Sequence, residues 1–223
     1  MMNVKENLAA VRERIAGAAV AAGRDPASVR LVAVSKTKPA ELIREAYDAG
    51  QRDFGENYAQ ELVQKADALA SLDGIRWHFI GHLQSNKSKM IAPRAAMVHS
   101  VDSASLAKEL GKRSPKKLPV LIEVNVSGEL TKSGCAPSDV ETVFGAVEAQ
   151  PMLGLSGLMT MPPPGDLLVA RKMFDALRAL RDAHGGTARL PELSMGMTDD
   201  LEIAIACGST IVRVGTAIFG TRA

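Results

Sequence analysis

Eight short apolar segments, each followed by a helix-like segment, constrain the fold of this 223-residue chain more than any other feature. The segments recur roughly every 20–25 residues, a spacing typical of β–α units in a parallel sheet. They lack clean polar alternation, which indicates strands that are buried on both faces. The predicted strands are residues 31–35, 53–57, 75–81, 96–101, 119–126, 155–160, 193–196 and 211–214.

This alternation predicts an α/β fold, a (β/α)8 barrel of the TIM type, with residues 1–223 forming a single domain. An open doubly wound sheet would also explain the alternation, although such sheets usually contain fewer strands. The Gly-rich dinucleotide fingerprint and the phosphate-loop lysine motif are both absent from the sequence. An extra N-terminal helix is predicted before the first strand, where apolar residues repeat at helical spacing. Those residues are Val4, Leu8, Val11 and Ile15.

Composition and charge exclude several classes of protein. The 27 Lys and Arg residues nearly balance the 25 Asp and Glu residues, so the sequence gives no reason to expect a nucleic acid partner. No segment is long and apolar enough to span a membrane, and the start of the chain is too weakly apolar for a signal peptide. Cys135 and Cys207 form neither a metal-ligand spacing nor a disulfide framework, which predicts a cytoplasmic protein.

Two turns of small residues near the C-terminus predict a phosphate site. One lies within residues 193–200, after the seventh strand, and the other is residues 214–216, after the eighth. Thr198 is expected to cap a helix that Gly208 ends. In eight-stranded barrels the loops after the last two strands often bind phosphate, because backbone N–H groups and helix N-termini favour an anion.

Polar residues at the C-terminal ends of the predicted strands are the candidates for chemistry. Lys36 directly follows the first strand, where burial would lower the pKa of its amine and make it nucleophilic. A lysine beside a phosphate site predicts a phosphorylated aldehyde held as a Schiff base. Arg213 ends the eighth strand and requires a partner, either a carboxylate such as Glu123 or an acceptor nitrogen on a bound heterocycle. His78 and His82 lack the helical face of a metal pair, so no metal site is predicted.

Seven motifs, in order along nearly the whole chain, resemble those of the pyridoxal phosphate homeostasis proteins. The run WHFIGHLQSNK at residues 77–87 is the most specific of them. The others are VSKTKP at 34–39, FGENY at 54–58, VNV at 124–126, GLMTM at 157–161, LSMGM at 193–197, and GSTIVR at 208–213 with residues 215–220. Thr198 is one departure, since the resemblance leads us to expect serine there.

The resemblance implies an alanine-racemase-type barrel that carries pyridoxal 5′-phosphate (PLP) on a lysine. Lys36 would form the aldimine, and Arg213 would face the pyridine nitrogen. Ser194, Gly215 and Thr216 would hold the phosphate. The rest of the pocket would be lined by Asn57, His82, Met159 and Met195.

The resemblance further implies a carrier or buffer in intracellular PLP homeostasis, a monomer whose partners are PLP and the PLP-dependent apoenzymes that receive it. Catalysis is not expected, because an arginine at the pyridine nitrogen weakens the cofactor as an electron sink. Racemases of this fold also use a tyrosine from a second domain, and this chain ends three residues after Gly220. Two alternatives use the same lysine: a PLP-dependent amino-acid racemase or lyase, and an enzyme acting on a phosphorylated sugar without a cofactor.

Overall fold

The computed structural model describes residues 3–129 and 133–221. Its parallel strands close into an eight-stranded barrel, in which neighbours along the chain pair and β1 pairs with β8. The closed barrel confirms the predicted (β/α)8 fold over the open sheet. The strands are β1 (Arg30–Val34), β2 (Asp53–Glu56), β3 (Arg76–Phe79), β4 (Ala95–Val101), β5 (Leu118–Glu123), β6 (Leu153–Met159), β7 (Glu192–Ser194) and β8 (Ile211–Val214).

Helices connect the strands, and the predicted extra helix precedes β1. Its apolar stripe, Val4, Leu8, Val11 and Ile15, is buried, and the helix packs against the two helices that flank β8. The α-helices of the described residues are α1 (Val4–Ala21), α2 (Ala40–Asp48), α3 (Ala59–Ala68), α4 (Ser88–Ile91), α5 (Ala104–Arg113), α6 (Val140–Glu148), α7 (Leu167–Ala183), α8 (Gly186–Arg189), α9 (Leu201–Ala206) and α10 (Thr216–Phe219).

The helix after β7 does not start where the sequence predicted. Helix α9 begins at Leu201, and Asp200, not Thr198, is the residue that precedes its first turn. The carboxylate of Asp200 accepts a hydrogen bond from the N–H of Met197 at 2.6 Å. This bond folds residues 197–200 into a loop, so Thr198 lies in the loop. Gly208 does end the helix as predicted, in the left-handed conformation with φ of 98°.

The strand ends also differ from the predicted ones, most clearly in β5. This strand stops at Glu123, whereas the apolar pattern continues to residue 126. Beyond Glu123, the N–H of Val124 still donates to the Met159 carbonyl of β6 at 2.9 Å, but Val124 forms only an isolated bridge, with Cys135. The spacing of Ser138 and Glu141 also predicts a capping box at the start of α6. This prediction is wrong, since Ser138 lies in a 3₁₀ turn and its hydroxyl bonds to the neighbouring Asp139.

The barrel interior contains an apolar layer beneath a polar layer. The apolar layer is a small cluster that is separate from the main core between barrel and helices: Val32, Met97, Leu121, Met159 and Ile211. Side chains two positions further along a strand lie on the same face. Two positions after Met97, Leu121 and Ile211 lie the buried polar residues His99, Glu123 and Arg213. Polar groups therefore fill the interior toward the C-terminal mouth.

Within residues 3–129 and 133–221, no helix combines the length and the hydropathy that crossing a bilayer requires.

Candidate functional site

A cavity of about 260 Å³ lies at the C-terminal ends of β1, β2 and β8. It is the place where Lys36 meets the two C-terminal turns. Its walls comprise Val34, Lys36, Asn57, Ile80, Met161, Met197, Thr198, Asp199, Arg213, Gly215 and Thr216. Of the residues predicted from sequence, the structure therefore brings together Lys36, Asn57, Arg213, Gly215 and Thr216. We call this space the Lys36 cavity.

A larger and mostly apolar cavity of about 470 Å³ adjoins it. The two cavities share Met161 and Met197. The larger one extends over the segment of prolines after β6, Pro162 to Pro164, and reaches Glu123. Together they form the open mouth of the barrel.

The turn that carries Lys36 is fixed by a buried ion pair next to it. The ammonium of Lys65 donates to the carbonyl of Ser35 at 2.7 Å and to the carboxylates of Glu56 and Glu61, each at 2.8 Å. Burial raises the pKa of Glu56, while the hydrogen bonds from Lys65 and Ser35 oppose that effect by favouring the carboxylate. These contacts hold the residue directly before Lys36 in place.

The residue after Lys36 is strained and anchored. Thr37 has φ of 62°, in the left-handed region that β-branched residues rarely adopt. Its N–H donates to the Glu61 carboxylate at 2.7 Å. Such strain persists only where the surrounding contacts impose it. Lys36 is therefore presented by a turn that is held on both sides.

Arg213 is buried and hydrogen-bonded inside the barrel. Its Nη1 donates to Ser194 Oγ at 2.6 Å and its Nη2 donates to the carbonyl of Thr160 at 3.1 Å. Burial lowers the pKa of its guanidinium to about 10, although Glu123 and Asp200 favour the charged form. Arg213 therefore stays a cation at neutral pH. Glu123, one of the two kinds of partner that the sequence left open, acts on the guanidinium through its charge.

Burial raises the pKa of Glu123 itself to about 7, and Asp102 adds to this effect while Arg213 opposes it.

Four predicted site residues lie outside the Lys36 cavity. Ser194 is fully buried, and its hydroxyl contacts His99 Nδ1 at 2.8 Å as well as Arg213. Met195 belongs to the main core and Met159 to the small apolar cluster of the barrel interior. The half-exposed side chain of His82 lies 3.5 Å from Asp102 and lines a separate cavity with Asn57. The roles of these four in binding stay predictions, and the hydroxyl of Ser194 is already engaged elsewhere.

Sequence reasoning did not select Thr198 as a cavity residue, because it assigned the hydroxyl to a helix cap. Once that cap is excluded, Thr198 is a hydroxyl at the C-terminal end of a barrel strand, and it lines the Lys36 cavity. Position alone could have identified it. Met161 and Met197 also follow strands and line the cavity, but their apolar side chains gave no reason to predict them as site residues.

The buried histidines make the fold sensitive to acid. Burial lowers the pKa of both His78 and His99, and for His99 the neighbouring His78 and Arg213 lower it further. The unfolded chain binds protons at these positions below about pH 6.5, and the folded chain binds them only at lower pH. The histidines therefore remove stability as the pH decreases below about 6.5, by up to about 1.4 kcal/mol per pH unit for each. Glu123, whose pKa is raised to about 7 in the folded chain, contributes in the opposite direction over the same range.

Urea unfolding between about pH 7.5 and pH 5.5 measures this slope. We expect His99→Gln, which removes the histidine with the more strongly lowered pKa, to lose less stability on acidification than wild type does. The same pH dependence in wild type and His99→Gln would contradict the assignment of a neutral buried His99.

The chain matches the family model described as alanine racemase, N-terminal domain, over residues 4–223. It is 52% identical over 227 residues to a Pseudomonas aeruginosa protein named pyridoxal phosphate homeostasis protein, covering 100% of this chain and 97% of the relative. An Escherichia coli protein of the same name is 46% identical over 231 residues, covering 100% of this chain and 98% of the relative.

Among solved structures, PipY of Synechococcus elongatus PCC7942 with PLP bound superposes with a TM-score of 0.84 at 35% identity, over 97% of this chain and 100% of that chain. The motifs that resembled a known family thus lie in a chain that aligns with that family from end to end. The chain belongs to the alanine racemase N-terminal domain family and, within it, to the pyridoxal phosphate homeostasis proteins.

Proposed function

We propose that this protein binds PLP covalently and reversibly at Lys36 and serves PLP homeostasis as a carrier or buffer. The observation that carries the proposal is the set of groups around the Lys36 cavity: a lysine amine, a pair of threonine hydroxyls at small-residue turns, and a buried guanidinium. A relative named for PLP homeostasis is 52% identical to this chain, and a PLP-bound structure superposes on it.

The donors around the cavity fit the functional groups of PLP. The aldehyde of PLP supplies an electrophile, which a lysine amine captures with the loss of one water. Lys36 is the amine of the cavity wall, and it is partly exposed there. Lys65 is a poor competitor, because its ammonium already donates to three acceptors.

The phosphate end fits the turn after β8 together with the loop after β7. Thr198 and Thr216 both line the cavity together with Gly215, and we propose that their hydroxyls donate to the phosphate. The first N–H groups of an α-helix have no acceptor within it, and α10 begins at Thr216. The β8 turn also lies tightly against β1, since a Cβ at Gly215 would approach the Val34 carbonyl to 3.1 Å. We propose Thr198 in place of Ser194 as the second hydroxyl, because Ser194 Oγ is already bonded to His99 and Arg213.

The position of Arg213 favours a carrier over an enzyme. A guanidinium that faces the pyridine nitrogen disfavours protonation of the ring and weakens PLP as an electron sink. Neither tyrosine lines the Lys36 cavity: the hydroxyl of Tyr47 donates to the Asp73 carbonyl, and Tyr58 lines the neighbouring cavity with His82. The described cavity wall therefore lacks the phenol that a racemase of this fold would use.

We further propose that residues 1–223 act as one monomeric domain in the cytoplasm and pass PLP to apoenzymes. A barrel that closes between β1 and β8 supports a single folding unit. Cys135 and Cys207 are both buried and free, which suits a reducing compartment.

The test is the visible spectrum of the purified protein, followed by borohydride reduction and peptide mass spectrometry. We expect a yellow protein in which reduction fixes PLP to the peptide that contains Lys36. A colourless protein that borohydride modifies only in the presence of a sugar phosphate would support the cofactor-free alternative. Steady conversion of L-alanine to D-alanine by the PLP-loaded protein would show that the protein is a racemase and would contradict the carrier function.

A further inference from the structure

A continuous line of hydrogen-bonded side chains crosses the barrel interior, from the N-terminal end of β2 to the Lys36 cavity. All members except Arg76 are buried. The links are Arg76 Nε to Asp53 Oδ1 at 2.7 Å, His78 Nε2 to Asp53 Oδ1 at 2.9 Å, His99 Nε2 to His78 Nδ1 at 2.9 Å, Ser194 Oγ to His99 Nδ1 at 2.8 Å, and Arg213 Nη1 to Ser194 Oγ at 2.6 Å. We call this line the polar chain.

Asp53 and Arg213 determine where the hydrogens between them lie. Asp53 is ionised, because its hydrogen bonds with Arg76 and His78 lower its pKa despite burial. The carboxylate can only accept, so His78 Nε2 carries the hydrogen that faces it. At the other end, the guanidinium of Arg213 can only donate.

The members in between then have one consistent arrangement. His78 is neutral, so its Nδ1 accepts from His99 Nε2. His99 is also neutral, so its Nδ1 accepts from the hydroxyl of Ser194. The oxygen of Ser194 in turn accepts from Arg213. Every hydrogen bond between Arg213 and Asp53 points toward Asp53, Arg76 donates to Asp53 from the other side, and no member is left without its hydrogen bond.

The neighbouring residues show that this network is not needed to fill the barrel. The interior also contains the apolar cluster of Val32, Met97, Leu121, Met159 and Ile211. Replacing a buried polar network with well-packed apolar residues is often neutral or stabilising. Polar residues that lead to Arg213 therefore indicate a group that has to be held in one orientation.

We propose that the polar chain positions Arg213 against the ring nitrogen of PLP, with Ser194, His99 and His78 acting as positioning residues. The inference rests on the proposed function for the identity of the ligand. Each member fixes the rotation of the next one, and Ser194 fixes Nη1 of the flexible arginine side chain. Ser194 thus serves the cofactor through Arg213, without contacting the phosphate.

The first test uses the protein without PLP. Nitrogen NMR is expected to show His78 and His99 as neutral rings with the hydrogen on Nε2, and separate, slowly exchanging Nη signals for Arg213. His99→Leu should merge the Arg213 signals, while His99→Gln, which can both donate and accept, should restore their separation. Unchanged Arg213 signals in His99→Leu would overturn the proposal, whether or not the protein binds PLP.

The second test compares PLP with pyridoxal, which has the ring nitrogen but lacks the phosphate. Ser194→Ala should weaken binding of both ligands by a similar factor of about ten, because both lose a well-placed Arg213. Ser100→Ala is the matched control, since Ser100 is also a fully buried barrel serine and its hydroxyl has no hydrogen-bond partner in the described part of the chain.

A loss confined to PLP would make Ser194 a phosphate ligand and would overturn its positioning role. If Ser194→Ala binds PLP and pyridoxal each as tightly as wild type does, the positioning role is also overturned. Because Ser194→Ala removes a single oxygen, this comparison remains decisive if His99→Leu does not fold, and circular dichroism checks each variant.

Discussion

Lys36→Ala is expected to abolish the yellow colour of the purified protein and the adduct that borohydride fixes, while the fold is retained. The loss should be complete, since a covalent bond to the cofactor needs an amine in the cavity wall and Lys36 supplies it there. The fold should persist because the contacts that hold the turn come from Lys65 and Glu61. Absorbance, peptide mass spectrometry and circular dichroism measure the three expectations.

Lys38→Ala is the matched control for this experiment. Lys38 lies two residues further along the same turn, and its ammonium donates to the Thr221 carbonyl at 2.7 Å. Removing it should leave both the colour and the adduct unchanged. If borohydride instead fixes PLP on Lys38, the assignment of Lys36 is wrong, whereas the PLP-binding function would survive.

The barrel was predictable from the sequence because its signals are local. Each strand is a short apolar run, and α1 has a helical repeat of apolar residues. Each of these patterns can be recognised within a single segment, without knowing which other segments it contacts. The bounds of β8 agree with the prediction, and Lys36 follows from its place after β1. The end of β5 was not predictable, because it depends on an isolated bridge between Val124 and Cys135, a residue outside the strand.

The site was only partly predictable, since side-chain direction depends on partners that are remote in sequence. The resemblance implied that Ser194 holds the phosphate, and this role stays a prediction. In the structure the hydroxyl of Ser194 contacts His99, 95 positions away in the chain, and accepts from Arg213. That arrangement needs the register of several strands at once. Thr198 was assigned to a cap because residue type was considered without the Asp200 carboxylate, which closes the loop.

Replacing both threonines of the Lys36 cavity, as Thr198→Val with Thr216→Val, is expected to weaken retention of PLP by about a hundredfold or more. Each hydroxyl would donate a charge-assisted hydrogen bond to the phosphate, and such bonds contribute about 1.5–3 kcal/mol each. A loss of about 1.4 kcal/mol corresponds to a factor of ten in the dissociation constant. Valine preserves the shape of threonine and removes only the hydroxyl, and Thr216 is the first residue of α10, where a β-branched residue is tolerated.

Pyridoxal distinguishes a phosphate role from general damage, because it has no phosphate to lose. Titrating both ligands against wild type and the double variant should show a large loss for PLP and little change for the weaker binding of pyridoxal. Ser194→Ala provides the opposite pattern, with similar losses for the two ligands, since it acts through Arg213 at the ring. The two variants thus test two sets of contacts separately. The threonine variant tests the loops after β7 and β8 at the phosphate, and Ser194→Ala tests the polar chain at the ring. Equal losses of PLP and pyridoxal in the threonine variant would show that these hydroxyls do not bind the phosphate.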